Sequence, residues 1–273
     1  MKNKYNLIAR VAVVALVLTA TFAFTTSASA ANYQSAYGPG GVYTAAGNLP
    51  DSTLWYNGDF NGVNGLANER NTVVSQAAVY ENFIVPTGQM WNITSVFSDN
   101  LANTTIGAAD WEIRSGVSEG NGGTLLGSGS NAAATVSLTG RSGFGFLEYM
   151  VQVNGLNLTL GPGTYWLNVT AVGNGGGRSF NSTTSGAHCV GTPCGNDQNA
   201  FFNSTFFGTY FTSTANESQP YDYSNGVIGT VVPEPATVAL LTCGVGALLI
   251  ALRRRRGIGK KGSRRVPTGG TTR

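Results

Sequence analysis

Few residues of this chain could do thiol chemistry, because its 273 residues include three cysteines and one histidine. Cys189 and Cys194 bracket four residues, and spacing this close predicts a disulfide if the protein is exported. His188 adjoins Cys189, yet catalytic Cys–His partners usually come from distant segments. We therefore interpret His188 as an ordinary loop residue, and we expect Cys243, within an apolar run, to stay unpaired.

Metal and acid–base sites have weak support in the sequence. Three cysteines and one histidine cannot assemble a Cys₄ or Cys₂His₂ zinc site within one copy. Residues 59–65 offer oxygen ligands at alternate positions, but a calcium loop needs Gly and Glu where this chain has Asn64 and Arg70. We predict a turn there, and no metal or other cofactor. The remaining carboxylates show no spacing typical of a catalytic pair, and we expect Asp110 and Glu112 to be surface charges.

Three aromatic residues are candidates for contacts with a sugar. Trp55, Tyr56 and Trp166 could stack on a sugar ring if exposed, and would fill a core if buried. The sequence leaves both readings open, so binding of extracellular polysaccharide stands as an alternative function.

The C-terminal part has three elements in a fixed order. Val232, Pro233, Glu234 and Pro235 come first, then the apolar run 236–252, then Arg253, Arg254, Arg255 and Arg256. Seventeen apolar residues are just long enough for a helix across a bilayer. Arginines directly after the run hold that side in the cytoplasm. We predict a single transmembrane helix, with a basic cytoplasmic tail at residues 257–273.

The N-terminal part has the composition of a secretory signal peptide. Residues 1–30 carry a basic head, a short apolar centre and an Ala-x-Ala exit. We predict cleavage after Ala30, or after Ala31, by a signal peptidase following passage through the secretion translocon. An uncleaved N-terminal anchor is the alternative. With a cleaved signal and the predicted C-terminal helix, the body lies outside the inner membrane.

The three-part tail resembles the PEP-CTERM sorting signal of bacterial surface proteins, a region also labelled ice-binding protein C-terminal domain. The matching residues are Val232, Pro233, Glu234, Pro235, the apolar run and the arginine cluster. The resemblance implies a substrate of an exosortase, a membrane transpeptidase, with Glu234 as a recognition residue. Such tails usually end soon after the arginines, whereas this chain continues for 17 residues. Residues 80–211 also resemble the β-rich body of some other PEP-CTERM proteins, which implies no known activity.

The charge distribution argues against nucleic-acid binding. Residues 31–232 hold four arginines, no lysine and twelve carboxylates, a net charge of −8. Affinity for a phosphate backbone comes mainly from Lys and Arg, so an acidic body is a poor partner for it.

Residues 31–231 alternate apolar and polar side chains with period two, which indicates half-buried strands. We predict strands at 79–85, 91–98, 110–114, 134–138, 148–153, 156–160, 163–170, 201–210 and 227–232. In these strands, Glu148, Gln152, Asn168 and Thr170 fall on the faces assigned to solvent. Many short strands separated by Gly-rich turns favour an antiparallel β-sandwich or jelly roll. Residues 31–72 are either its first strands or a lead-in.

These observations predict an exported, transiently membrane-anchored surface or extracellular-matrix protein of the bacterial envelope, without catalytic activity of its own. A plain single-span anchor and a hydrolase with an unrecognised site remain alternatives. Two carboxyl groups facing each other across a cleft would favour the hydrolase.

Overall fold

A computed structural model describes residues 49–50 and 52–233, and these residues form fourteen strands and no helix. The strands are β1 Thr53–Tyr56, β2 Phe60–Ala67, β3 Glu69–Arg70, β4 Ala78–Val85, β5 Gln89–Ala102, β6 Ile106–Ser115, β7 Thr124–Gly143, β8 Phe146–Leu160, β9 Gly163–Gly173, β10 Ser179–Thr184, β11 Phe201–Ser204, β12 Thr209–Ser213, β13 Asp222–Tyr223 and β14 Asn225–Pro233. The predicted all-β class is confirmed.

Several predicted elements lie outside the described residues. They are the signal peptide with Ala30 and Ala31, the motif residues Glu234 and Pro235, the apolar run, and Arg253, Arg254, Arg255 and Arg256. Within the described part, no helix has the length and apolar character needed to cross a bilayer.

The strand predictions differ from the structure in several places: the strands expected at 148–153 and 156–160 are both parts of β8, and β10 was not predicted. Residues 134–138 and 148–153 belong to the much longer strands β7 and β8. The single strand expected at 201–210 is instead a hairpin of β11 and β12 around the turn 205–208. Gly208 has a φ of +72° in that turn, a conformation that glycine adopts without steric cost. Residues 53–70 contribute β1 to β3, so this part of the chain belongs to the sheet.

The strands form one curled sheet in the order β1-β14-β5-β8-β7-β6-β9-β4-β11-β12, with antiparallel neighbours. Strand β7 makes the curl possible, because its first half pairs with β6 and its second half pairs with β8. It therefore carries the sheet from one half to the other. Off this path, β3 pairs with β9 in parallel.

The main hydrophobic core lies between the two halves of the curled sheet. It combines side chains of β5, β8 and β14 with side chains of β4, β6 and β9. Phe83 sits near its centre, with ring centroids 5.6 Å from Trp55 and 6.1 Å from Trp91. Fully burying a side chain such as Ile93 or Leu167 stabilises the fold by about 1.5–3 kcal/mol.

On several strands, the face that points away from the main core is buried as well. The expectation that Asn168 and Thr170 face solvent is wrong, since each is 2% exposed. Asn68 lies between them and β5: its Oδ1 accepts hydrogen bonds from Asn168 Nδ2 and Thr170 Oγ1, and its Nδ2 donates to Asn100 Oδ1. The buried polar groups around Asn68 are paired with one another, and they link β9 to β5.

Candidate functional site

The aromatic residues proposed as sugar contacts are buried, which corrects that expectation. Trp55, Tyr56 and Trp166 are 0%, 1% and 7% exposed. The indole N–H of Trp55 donates to the carbonyl of Pro193, and that of Trp166 donates to the carbonyl of Asn199. Their rings fill apolar clusters and their polar atoms have protein partners, so none of the three offers a face to a sugar.

Residues 185–200 form a long loop that the disulfide braces. Cys189 and Cys194 are joined, with Cα atoms 5.5 Å apart. Val190 pairs with Tyr56 through two backbone hydrogen bonds, which dock the loop on the end of β1. His188 Nδ1 lies 2.8 Å from Asp59 Oδ2. The histidine therefore contacts a carboxylate, and the neighbouring cysteine is oxidised rather than free to act as a nucleophile.

A buried polar cluster surrounds Arg141, and we call it the Arg141 cluster: Tyr56, Asp59, Asp99, Arg141 and Glu148. The guanidinium pairs with Asp59 through Nη1 at 2.7 Å, with Asp99 through Nη2 at 2.8 Å, and with Glu148 through Nε. All three carboxylates are 9% exposed or less. One guanidinium thus serves three acidic groups in the interior.

A β-bulge in β7 positions this arginine. The register shifts between Leu138, which faces Tyr149, and Ser142, which faces Leu147, so three residues of β7 lie opposite Glu148. Gly140 has a φ of +84° there, as the glycine of such a bulge often does. Both Thr139 Oγ1 and Arg141 Nε therefore reach the same carboxylate oxygen of Glu148.

The Arg141 cluster holds more negative than positive charge. Burial, followed by the nearby charge of Glu148, raises the pKa of Asp99 to about 7. Burial also raises the pKa of Asp59. The Tyr56 hydroxyl lies 2.9 Å from an oxygen of each of these two aspartates, but it has only one proton to donate. The second contact is satisfied when one of the two aspartates is protonated.

The space beside the Arg141 cluster is too small for a sugar ring. The cavity that Asp59, Asp99 and Arg141 line has a volume of about 30 Å³. This volume accommodates water rather than a sugar ring, since one water needs about 10–15 Å³ by this kind of measure. The paired carboxyl groups are therefore buried in a polar core, and they do not face each other across an open cleft.

A second acidic group, the three-carboxylate site, consists of Glu81, Asp197 and Asp222. One carboxylate oxygen from each residue lies within 4.8 Å of the other two. Glu81 belongs to β4, Asp222 to β13 and Asp197 to the loop 185–200. Glu81 and Asp222 are buried, whereas Asp197 is exposed, so the site opens to solvent on the side of the loop.

Backbone amides orient the carboxylates of this site. The two oxygens of Glu81 accept hydrogen bonds from the N–H groups of Asn82 and Tyr223. The two oxygens of Asp222 accept from the N–H groups of Asp197 and Gln198. Each oxygen has a further lone pair. The carboxylates are thus held in place while keeping the capacity to bind another group.

The three-carboxylate site has no arginine to neutralise it. The described residues include four arginines and no lysine. All four arginines pair with other carboxylates: Arg70 with Asp110, Arg114 with Glu112, Arg178 with Glu69, and Arg141 with Asp59, Asp99 and Glu148. Burial and the neighbouring carboxylates raise the pKa of Glu81, and burial raises that of Asp222 to about 7.

Sequence reasoning missed both clusters for an identifiable reason. Period two correctly placed Glu148 on the face opposite Val151, but it assigned that face to solvent, whereas Glu148 is 0% exposed. Asp110 and Glu112 are also half-buried and paired rather than free surface charges. The one available signal was Glu81, a charged residue inside the otherwise apolar strand β4. Asp59 belongs to the Arg141 cluster, and the residues after it form β2 rather than the predicted turn.

The predicted sorting motif begins in the last two residues of β14. Strand β14 pairs with β5 as far as Val232 opposite Met90 and Pro233 opposite Gln89. Val231 and Val232 are 38% and 42% exposed. Val232 and Pro233, the first two residues of the predicted motif, are therefore the last two residues of β14, and Val232 is exposed there.

A scan of the sequence against protein-family models finds no match, and searches of the curated proteins and of the solved structures find no significant match either.

Replacing Arg141 with Met should destabilise the protein by about 3–5 kcal/mol, because three buried carboxylates would lose their only guanidinium. Urea unfolding followed by tryptophan fluorescence measures the change. The half-exposed pair of Arg70 and Asp110 provides the control, and Arg70→Met should cost about 1 kcal/mol or less. Equal losses in the two variants would contradict the role given to Arg141.

The raised pKa of Asp99 predicts a stability that falls as the pH rises. Asp99 binds its proton more tightly in the folded than in the unfolded chain, so its contribution is complete below about pH 4 and is lost as the pH passes about 7. Asp99→Asn imitates the protonated form and should reduce this decline in the free energy of unfolding. Part of the decline in stability should remain in this variant, because the pKa values of Asp59 and Glu81 are also raised. An unchanged pH profile in the variant would argue against a proton on Asp99.

Proposed function

We propose that this protein is an exported bacterial surface or extracellular-matrix protein, anchored transiently in the inner membrane and sorted by an exosortase-type transpeptidase. The observation that carries the proposal is the position of the motif at the exposed end of β14. A membrane enzyme needs an accessible peptide segment between the folded body and the bilayer. The motif begins at the point where such a segment would start.

The pairing of β14 makes cleavage after the motif compatible with a stable body. Nine residues of β14, from Asn225 to Pro233, pair with β5, and the strand also pairs with β1. Removal of everything beyond Pro235 leaves all of these pairs in place. A sorting enzyme could therefore release or transfer the body without unfolding it.

The topology follows from the charges. The run 236–252 crosses the inner membrane, and Arg253, Arg254, Arg255 and Arg256 hold its end in the cytoplasm. The basic tail 257–273 lies against anionic lipid. The translocon and a signal peptidase act on residues 1–30, and cleavage leaves Ala31 or Asn32 as the first residue. In the exported body, the two halves of the curled sheet pack as a distorted antiparallel sandwich of the jelly-roll kind.

Replacing Glu234 with Ala should leave a full-length, membrane-bound protein, because it removes the charged residue of the motif. Immunoblots of membrane and extracellular fractions, with and without the host's exosortase, measure the processing. Glu217→Ala changes an exposed glutamate of the body, so it is the matched control and should be processed normally.

Neutral replacements of Arg253, Arg254, Arg255 and Arg256 should have a different effect from Glu234→Ala. The C-terminal tail should cross the membrane, or the helix should insert in the opposite orientation. Release of the Glu234→Ala protein at the parent's rate would refute the sorting signal and favour a plain anchor.

Polysaccharide binding is a second candidate function, and a different set of aromatic residues favours it. Phe206, Phe207 and Tyr210 lie at the β11–β12 hairpin and are 47%, 48% and 62% exposed. The ring of Phe207 packs near that of Phe202, with centroids 6.1 Å apart. Exposed aromatic side chains grouped in this way mark a surface for recognition, and their faces suit the C–H groups of a sugar ring.

Replacing Tyr210 and Phe206 with Ala should weaken the affinity of the protein for the host's extracellular polysaccharide by about tenfold, if two rings each contribute about 0.7 kcal/mol. Its retention on that polysaccharide should fall accordingly. Affinity electrophoresis in gels containing that polysaccharide measures the retention. Val73 is 57% exposed and lies on another segment, so Val73→Ala controls for loss of an exposed apolar side chain. Equal mobility of parent and double variant in these gels would exclude the hairpin as a sugar site.

A further inference from the structure

We propose that the three-carboxylate site binds a calcium ion, with Glu81, Asp197 and Asp222 as carboxylate ligands and the side-chain oxygen of Asn82 as a fourth ligand. The site is independent of the sorting signal, since all four residues lie in the folded body.

The spacing of the carboxylates fits one ion. Calcium–oxygen distances are about 2.3–2.6 Å, so two ligands on opposite sides of one ion are at most about 5 Å apart. The three oxygens of the site lie within 4.8 Å of one another. A single ion can therefore contact all three without a rearrangement of the backbone.

Asn82 provides a second observation, a buried amide oxygen without a partner on a side chain that reaches the site. Its side chain is 2% exposed, and its Nδ2 contacts Asp197 Oδ2 at 3.0 Å, so the amide reaches the site. Its Oδ1 is buried without a hydrogen-bond partner. The two ends of an amide exchange places when the group turns over. The turned amide would place Oδ1 beside Asp197 Oδ2. A cation in contact with both oxygens would then provide the partner that each of them needs.

The negative charge of the three-carboxylate site favours the binding of a cation. Three carboxylates lie together, two of them buried, and the four arginines of the described part are paired elsewhere. The backbone hydrogen bonds to Glu81 and Asp222 match the outer-shell support that ligating carboxylates have in metal sites. A divalent ion would replace the mutual repulsion of the three groups with attraction.

The ligand set favours calcium over other metals. All the ligand atoms are oxygens, whereas zinc prefers cysteine and histidine. Magnesium requires near-ideal octahedral geometry and usually keeps several waters, whereas calcium accepts irregular sets of six to eight oxygens. Exposed Asp197 leaves room for water to complete the set. The bound ion would tie the loop 185–200 to β4 and β13.

Equilibrium dialysis of the purified full-length protein against ⁴⁵Ca²⁺ tests the proposal. We expect one ion per chain and a dissociation constant of about 10⁻⁴–10⁻³ M, the range of extracellular calcium modules. Thermal unfolding should occur at a higher temperature in about 5 mM CaCl₂ than in EGTA, and at a higher temperature than in the same concentration of MgCl₂.

Asp197→Asn is the main variant, because Asp197 is exposed and Asn retains an acceptor for the N–H of Asn199. It should weaken calcium binding by about tenfold or more, and Asn82→Ala by several-fold. Glu217→Gln removes an equal charge from an exposed residue outside the site and should bind calcium like the parent. Absence of binding in the parent, equal effects of calcium and magnesium, or unchanged affinity in Asp197→Asn would each overturn the proposal.

Discussion

One guanidinium compensates three buried carboxylates, and the packing of the polar face of β5, β7 and β8 depends on that arrangement. Arg141 comes from β7, Glu148 from β8, Asp99 from β5, and Asp59 from the turn after β1. The cluster therefore joins four segments of the chain through charged side chains. Ser224, just before β14, adds a hydroxyl 2.9 Å from Asp99. A buried charge is tolerated only with a partner in good geometry, so these segments are fixed relative to one another.

The composition explains why the arginine is shared. The body has no lysine and four arginines for twelve carboxylates, and three of these arginines pair with one carboxylate each, so Arg141 is shared among three. Neutral amides and hydroxyls make up part of the difference. The network around Asn68 pairs β9 with β5 and β4 without any charge. Asn, Ser and Thr thus serve as the connecting groups of a second layer, where many other proteins would place apolar side chains.

The two acidic clusters differ in one respect that bears on function. The Arg141 cluster contains its own cation, and the cavity beside it has a volume of only about 30 Å³. The three-carboxylate site contains no basic residue, and one of its carboxylates faces solvent. The first arrangement stabilises the fold by itself, whereas the second has the electrostatic character of a site for an external ion. The loop 185–200 contacts both, since His188 lies against Asp59 of the first cluster and Asp197 belongs to the second.

The sequence by itself identified several of the strands, and it predicted a signal peptide and a sorting signal at the two ends. Alternation in 163–170 and 227–232 identified strands because side-chain direction in a strand is a local property. The prediction of a sorting signal rests likewise on residues adjacent in the chain, namely the motif, the apolar run and the arginines. Only the tertiary structure decided which polar faces are buried. Glu148 meets Asp99, and Glu81 meets Asp222, because segments distant in sequence cover strand faces that alternation alone assigns to water.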